Sequence, residues 1–148
     1  MARAHLTDGS RADCSSGSSS FSGYDLDLDK AIDLIRKSGA RLVGLQAPEG
    51  LKRATASIAR RIEEETGAKV LISGDPCFGA CDVDMQLCRE VDLMLHLGHA
   101  EMGVGPDNVI FLEARMKEDL REVATKAARV LRARIVGVTT TIQHVHKL

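Results

Sequence analysis

Short apolar runs alternate along this chain with segments whose apolar residues recur every three or four positions. The runs that have the length and punctuation of buried strands are residues 41–47, 69–73, 92–97, 108–112 and 134–141. The segments with helical spacing or helix-start signals are residues 28–37, 51–66, 82–90 and 116–131. Strands that alternate with helices over short connections run parallel, with the helices covering the sheet. The pattern predicts a three-layer α/β domain with a mostly parallel sheet of four to five strands flanked by helices.

The first residues lack any such period. Residues 15–22 contain six serines among eight positions, too few apolar groups to offset the entropy of ordering. We therefore expect a disordered Ser-rich tail over residues 1–23 and one α/β domain over residues 24–148. Cys14 lies inside the tail, where nothing would orient it as a ligand.

Charge and composition exclude several classes of function. Twenty basic against twenty-one acidic side chains leave a formal net charge of -1, and aromatic residues make up only 3% of the chain. Neither a field that attracts polyanions nor a stacking surface for bases is expected, so we predict no nucleic-acid partner. Because no apolar run is long enough to cross a bilayer and no signal peptide is evident, we expect no membrane partner and a cytoplasmic protein with reduced thiols.

Three polar loops follow predicted strands, at residues 46–50, 74–82 and 96–99. In an open parallel sheet these loops gather beyond the carboxyl ends of the strands, which is where ligands bind. We therefore expect the three loops to meet at one edge of the sheet.

The middle loop carries two cysteines, Cys77 and Cys81, three residues apart. A predicted helix start at Asp82 would lower the pKa of a nearby thiol and favour metal binding. The spacing alone does not decide between a metal site and reduced loop thiols, since a zinc site needs four ligands. On pattern alone, the pair His96 and His99 is better explained by a buried, hydrogen-bonded ring than by a ligand.

Two further features have structural explanations. Cys88 lies in a helical stripe and is predicted to be a small packing group. His144 and His146 would share one face of an extended segment, either as a zinc pair or, as we favour, as part of a strand or linker.

Four segments together resemble the archaeal diphthamide synthase family, the 2-(3-amino-3-carboxypropyl)histidine synthases. They are QAPEGL at 46–51, SGDPCFGACD at 73–82, LHLGH at 95–99 and TTTIQHVHKL at 139–148. The resemblance implies the first of three similar α/β domains, each giving one cysteine to a 4Fe-4S cluster. Cys81 would be that ligand here, while the position of Cys77 need not be cysteine in the family.

The resemblance also implies a reaction and its partners. S-adenosylmethionine would coordinate the open iron, and an electron from the cluster would release a 3-amino-3-carboxypropyl radical that adds to a histidine of translation elongation factor 2. Full-length members act as homodimers, and the electron donor and catalytic residues are not indicated. The cofactor-binding residues that we expect at this edge of the sheet are Pro48, Glu49, Gly50, Gly79 and His99.

Two other functions fit the same sequence. The chain would be a non-catalytic partner subunit of such an enzyme, or a small metal-binding module that uses Cys77 and Cys81 without S-adenosylmethionine. Activity separates the first alternative from the enzyme, and metal binding by the chain alone would support the second. Because a single thiolate holds a cluster weakly, the chain is expected to be inactive alone.

Overall fold

The computed structural model describes residues 23–103 and 105–147, so the predicted tail, apart from Gly23, and Cys14 lie outside the described residues. The helices are α1 (Leu28–Ser38), α2 (Lys52–Thr66), α3 (Met85–Glu90) and α4 (Arg121–Val130), with 3-10 turns at Glu49–Leu51 and Val145–Lys147. The strands are β1 (Tyr24–Asp25), β2 (Leu42–Gln46), β3 (Lys69–Ile72), β4 (Leu93–Leu97), β5 (Val109–Leu112) and β6 (Arg115–Met116).

Four strands form the predicted parallel sheet, in the order β3-β2-β4-β5. The chain starts in the middle of the sheet with β2, adds β3 on one side, and crosses back to β4 and β5 on the other. The order therefore reverses between the neighbouring strands β2 and β4, which is where an open α/β sheet offers a crevice for ligands. The short strands β1 and β6 pair antiparallel with each other, apart from this sheet.

Alternation of side chains along the strands builds two cores. Val43 and Leu45 of β2 face the larger core, which α1 and α2 cover with residues such as Ile32 and Ile58. Met94 of β4 faces the other side, where it packs with Cys88 of α3 and with Val91, which directly follows α3. Helices therefore cover both faces of the sheet, and the predicted three-layer α/β class is confirmed.

Cys88 of α3 is a buried packing group, as the stripe predicts. Its Sγ lies 3.1 Å from Oδ1 of Asn108, to which the thiol donates. The side-chain amide of Asn108 donates in turn to the Cys88 carbonyl at 3.0 Å, so this pair joins α3 to the start of β5.

The sequence prediction was wrong at three places. Residues 134–141 form no strand, because an extended segment becomes a strand only when it pairs with a neighbour, and these residues pair with none. Helix α3 begins at Met85 and not at Asp82, because the carboxylate of Asp84 accepts from the Leu87 N–H at 2.9 Å and caps the helix there. Finally, α4 is shorter than residues 116–131, and none of its residues is buried.

Within the described part of the chain, no helix combines the length and apolar character that crossing a membrane requires.

Candidate functional site

A row of side chains crosses the sheet at the carboxyl ends of its strands. The parallel register places Gln46 of β2 beside His96 of β4, and His96 beside Phe111 of β5. All three side chains lie on the face that α3 covers, because their neighbours in sequence point to the larger core. The rings of His96 and Phe111 are 5.0 Å apart at their centroids, and His96 is fully buried.

Gln46 is held in one orientation by the loop before α3. Its Nε2 donates to the carbonyl of Asp82 at 2.8 Å, and its Oε1 accepts from the N–H of Asp84 at 3.0 Å. The same Oε1 lies 3.0 Å from Nδ1 of His96. Since this oxygen only accepts, Nδ1 of His96 carries the proton and Nε2 presents its lone pair.

That lone pair faces the side chains of two loops. Nε2 of His96 lies 3.6 Å from Sγ of Cys77 and 3.0 Å from Nδ1 of His99. The Cys77 sulfur is also 3.9 Å from Nδ1 of His99. In the described residues these three are the one group of histidine, cysteine or acidic side chains that can hold a metal ion, and their ligand atoms lie within 4.8 Å of one another.

Burial keeps this trio uncharged. It lowers the pKa of His96 to about 4, with the neighbouring His99 adding to the effect, and it lowers the pKa of His99 as well. The same desolvation raises the pKa of the Cys77 thiol. The expectation that a helix start would lower a thiol pKa in this loop therefore fails for Cys77, which lies well before α3 and is buried.

Cys81 has different surroundings, although it is only four residues further on. It lies in a turn closed by the Asp82 N–H, which donates to the Gly79 carbonyl at 3.0 Å, and the Asp82 carboxylate accepts from the Phe78 N–H at 3.0 Å. Its side chain is exposed, whereas that of Cys77 is 3% exposed. A Cβ added to Gly79 would lie 3.7 Å from Sγ of Cys81, so the small residue keeps the space beside the thiol open.

The first and third loops also meet. Gly98 has φ of +87°, and a Cβ placed on it would lie 3.0 Å from Cγ of Pro48. Behind Pro48, Glu49 and Gly50 are exposed at the start of the 3-10 turn. The predicted meeting of the three loops at one sheet edge is therefore confirmed, whereas the roles of Pro48, Glu49, Gly50, Gly79, Cys81 and His99 stay predictions.

The fourth motif returns to this edge as well, which the sequence did not indicate. Nε2 of Gln143 donates to the Gly98 carbonyl at 3.3 Å, and the Gln143 carbonyl accepts from the Met116 N–H at 2.8 Å. His146 contacts the Met116 carbonyl at 3.1 Å and lies in a 3-10 turn. The extended segment that would place it on one face with His144 is therefore not formed.

The expectation of one buried, hydrogen-bonded histidine is met by His96, but its closeness to Cys77 was missed. A signal was present in the sequence. Gln46 and His96 are polar residues at the ends of otherwise apolar strands, which is where a parallel sheet builds its sites.

Known proteins are similar to this chain over the region that contains these loops. A family described as "Putative diphthamide synthesis protein" matches residues 47–148. The chain is 41% identical over 81 residues to 2-(3-amino-3-carboxypropyl)histidine synthase subunit 1 of Gallus gallus, covering 53% of this chain and 20% of that protein. It is 29% identical over 136 residues to 2-(3-amino-3-carboxypropyl)histidine synthase of Pyrococcus horikoshii, covering 84% and 38%.

Two solved structures of a protein named Dph2 also match this chain. The crystal structure of Dph2 from Pyrococcus horikoshii matches with a TM-score of 0.71 and 29% identity, over 82% of this chain and 37% of that one. Its structure with a 4Fe-4S cluster matches with a TM-score of 0.62 and 26% identity, over 73% and 34%. The chain thus spans between about a fifth and two-fifths of the length of these relatives. Because the family match covers more than half of its residues, the chain belongs to the diphthamide synthesis protein family.

Proposed function

We propose that this chain is the first of three domains of a diphthamide synthase and that Cys81 is its ligand to a 4Fe-4S cluster. The observation that carries the proposal is the exposure of Cys81 on a closed turn at the carboxyl edge of the sheet. A cluster shared among three domains needs a thiolate that projects from each of them. Cys77, in the same loop, is buried and does not meet that requirement.

The surroundings of Cys81 leave room for a bulky cluster. Gly79 and Ala80 precede it and present no large side chain, and a Cβ added to Gly79 would have Sγ of Cys81, at 3.7 Å, as its neighbour. A solved relative, Dph2 of Pyrococcus horikoshii, holds a 4Fe-4S cluster and shares the fold of this chain. The likeness in fold and the exposed thiol both support Cys81 as the ligand.

The proposed reaction transfers the 3-amino-3-carboxypropyl group of S-adenosylmethionine to a histidine of translation elongation factor 2. When bound, the cluster leaves one iron open to the substrate and supplies the electron that breaks a carbon–sulfur bond. The part of this chain is to hold Cys81 and to shape the edge on which the substrate lies. The names of the relatives as 2-(3-amino-3-carboxypropyl)histidine synthases support this reaction.

Five residues line the same edge and are proposed to contact S-adenosylmethionine. They are Pro48, Glu49, Gly50, Gly79 and His99. The exposed Glu49 would accept from the substrate ammonium group. The two glycines would let the substrate approach the loop backbone closely. We further propose a homodimer of the whole enzyme in the cytoplasm, where its substrate elongation factor works.

The test uses the polypeptide encoded by the complete reading frame, purified without oxygen. Cys81→Ala should lose the brown colour, the iron and the transfer of labelled 3-amino-3-carboxypropyl to elongation factor 2. Cys77→Ala is the matched control, because it removes a thiol from the same loop, and it should retain most of the cluster. A colourless, iron-free wild type would reject the proposal, and the reverse pattern of the two variants would assign the ligand to Cys77.

A further inference from the structure

We propose that Cys77, His96 and His99 form a second metal site, distinct from the cluster ligand Cys81, which binds one zinc-class divalent ion. The three residues come from two loops and one strand end, and the sheet register brings them together. Their burial and their separations, taken with the orientation of His96, carry the proposal.

The distances between the three ligand atoms match a tetrahedral zinc site. Bonds of about 2.0–2.1 Å to nitrogen and about 2.3 Å to sulfur separate ligand atoms by about 3.3 Å for two nitrogens and about 3.6 Å for nitrogen and sulfur. The corresponding separations here are 3.0 Å between His96 Nε2 and His99 Nδ1, and 3.6 and 3.9 Å from Cys77 Sγ to those atoms. An ion would fit with shifts of a few tenths of an ångström.

His96 is oriented as metal-bound histidines are. A ligating imidazole usually donates its other N–H to a fixed acceptor, which sets the tautomer and aims the lone pair. Gln46 Oε1 is that acceptor at 3.0 Å, and two backbone contacts from Asp82 and Asp84 hold it in place.

The ligand chemistry selects the class of ion. One thiolate and two neutral imidazoles suit zinc and related borderline ions better than magnesium or calcium, which prefer oxygen. Both rings are neutral near neutral pH and ready to coordinate, while the Cys77 thiol would release its proton to the solvent when the metal binds. Three protein ligands leave a fourth position for water or a substrate group.

Cys81 is kept apart from this site by its surroundings. It is exposed on the turn, whereas Cys77 and His96 are buried beneath it. Cys81 is also not among the three residues whose ligand atoms lie within 4.8 Å of one another, so the two metals would bind to different residues of the same loop. The inference does not depend on the cluster, because the three ligands belong to this chain alone.

The experiment titrates the purified chain with Co²⁺ under argon, without iron or sulfide, so that no cluster can form. We expect one Co²⁺ per chain, with the d–d absorption of a tetrahedral site and a thiolate-to-cobalt charge-transfer band in the near ultraviolet. Zinc should displace the Co²⁺ stoichiometrically. Failure to bind Co²⁺ at micromolar concentrations would overturn the site and leave the proposal for Cys81 untouched.

Variants identify the ligands. Cys77→Ser should abolish the charge-transfer band, and His99→Ala, at a half-buried ring, should weaken Co²⁺ binding at least tenfold. Cys81→Ser and Cys88→Ala are the matched thiol controls and should keep the band. Circular dichroism shows whether each variant is folded, and His99→Ala provides the test if Cys77→Ser unfolds. Retention of the band in Cys77→Ser, unchanged affinity in His99→Ala, or loss in Cys81→Ser would each overturn the three-residue site.

Discussion

Gly98 connects the backbone of the HLGH loop to the first loop of the site. Its φ of +87° is a left-handed conformation that costs a non-glycine residue about 1 kcal/mol. An added Cβ would also approach Cγ of Pro48 to 3.0 Å and Cδ1 of Leu51 to 3.6 Å. Both effects act where the two loops are packed against each other.

We therefore expect Gly98→Ala to lower the free energy of unfolding by about 2–3 kcal/mol, measured by urea denaturation. Gly39→Ala is the control, because Gly39 has φ of +69° at the end of α1 but no atom within 4 Å of an added Cβ. It should lose only about 1 kcal/mol. Equal losses in the two variants would show that the contact with Pro48 carries no energy.

Single residues also show what a sequence can and cannot predict about this site. The packing role of Cys88 and the burial of one histidine of the pair His96 and His99 follow from their places in apolar patterns, and both are confirmed. The burial of Cys77 and the exposure of Cys81 could not be predicted in this way. The spacing of two cysteines does not indicate which of them the turn between them buries. That outcome depends on the Asp82 side chain, which accepts from the Phe78 N–H and so fixes the turn.

At the scale of elements, apolar periodicity predicts whether a helix forms better than it predicts whether the apolar face of that helix is buried. Helices α1 and α4 both carry an apolar stripe, but α1 buries Ile32 and Ile35, whereas no residue of α4 is buried. Residues 134–141 likewise read as a strand and remain unpaired. A period shows which face would be buried, but it does not supply the neighbour that buries it.

This contrast predicts unequal losses of stability when the same truncation is made in two elements. Val43 of β2 is 0% exposed, so Val43→Ala should lower the free energy of unfolding by about 2 kcal/mol through lost burial and a residual cavity. Val123 of α4 is 65% exposed, so Val123→Ala should change it by less than about 0.5 kcal/mol, since alanine also favours the helix. Urea denaturation of both variants measures the difference, and a loss at Val123 as large as that at Val43 would contradict the exposure of α4.

At the scale of the whole molecule, this chain corresponds to only part of its relatives. It spans 37% of the Dph2 chain of Pyrococcus horikoshii that it matches. The architecture of this part was predictable, since the strands that form the sheet are the four apolar runs between residues 41 and 112. That Cys77, His96 and His99 come together was not predictable, because Cys77 belongs to the loop after β3 and β2 lies between β3 and β4 in the sheet.

The two proposed metal sites differ in how much of the enzyme each one requires. The zinc-class site is complete within this chain, whereas Cys81 would be one of three cluster ligands, and one thiolate gives little of the chelate effect that holds a cluster. Reconstitution of the 148-residue chain with iron and sulfide under argon should therefore leave well under one cluster per chain after desalting, measured by iron and sulfide content. The three-domain polypeptide of the proposed enzyme, treated in parallel, should retain about four irons for each set of three cysteines. A full cluster on the short chain would mean that its own residues, Cys77 foremost, complete the ligand set, and the cluster would then compete with zinc for the same thiol.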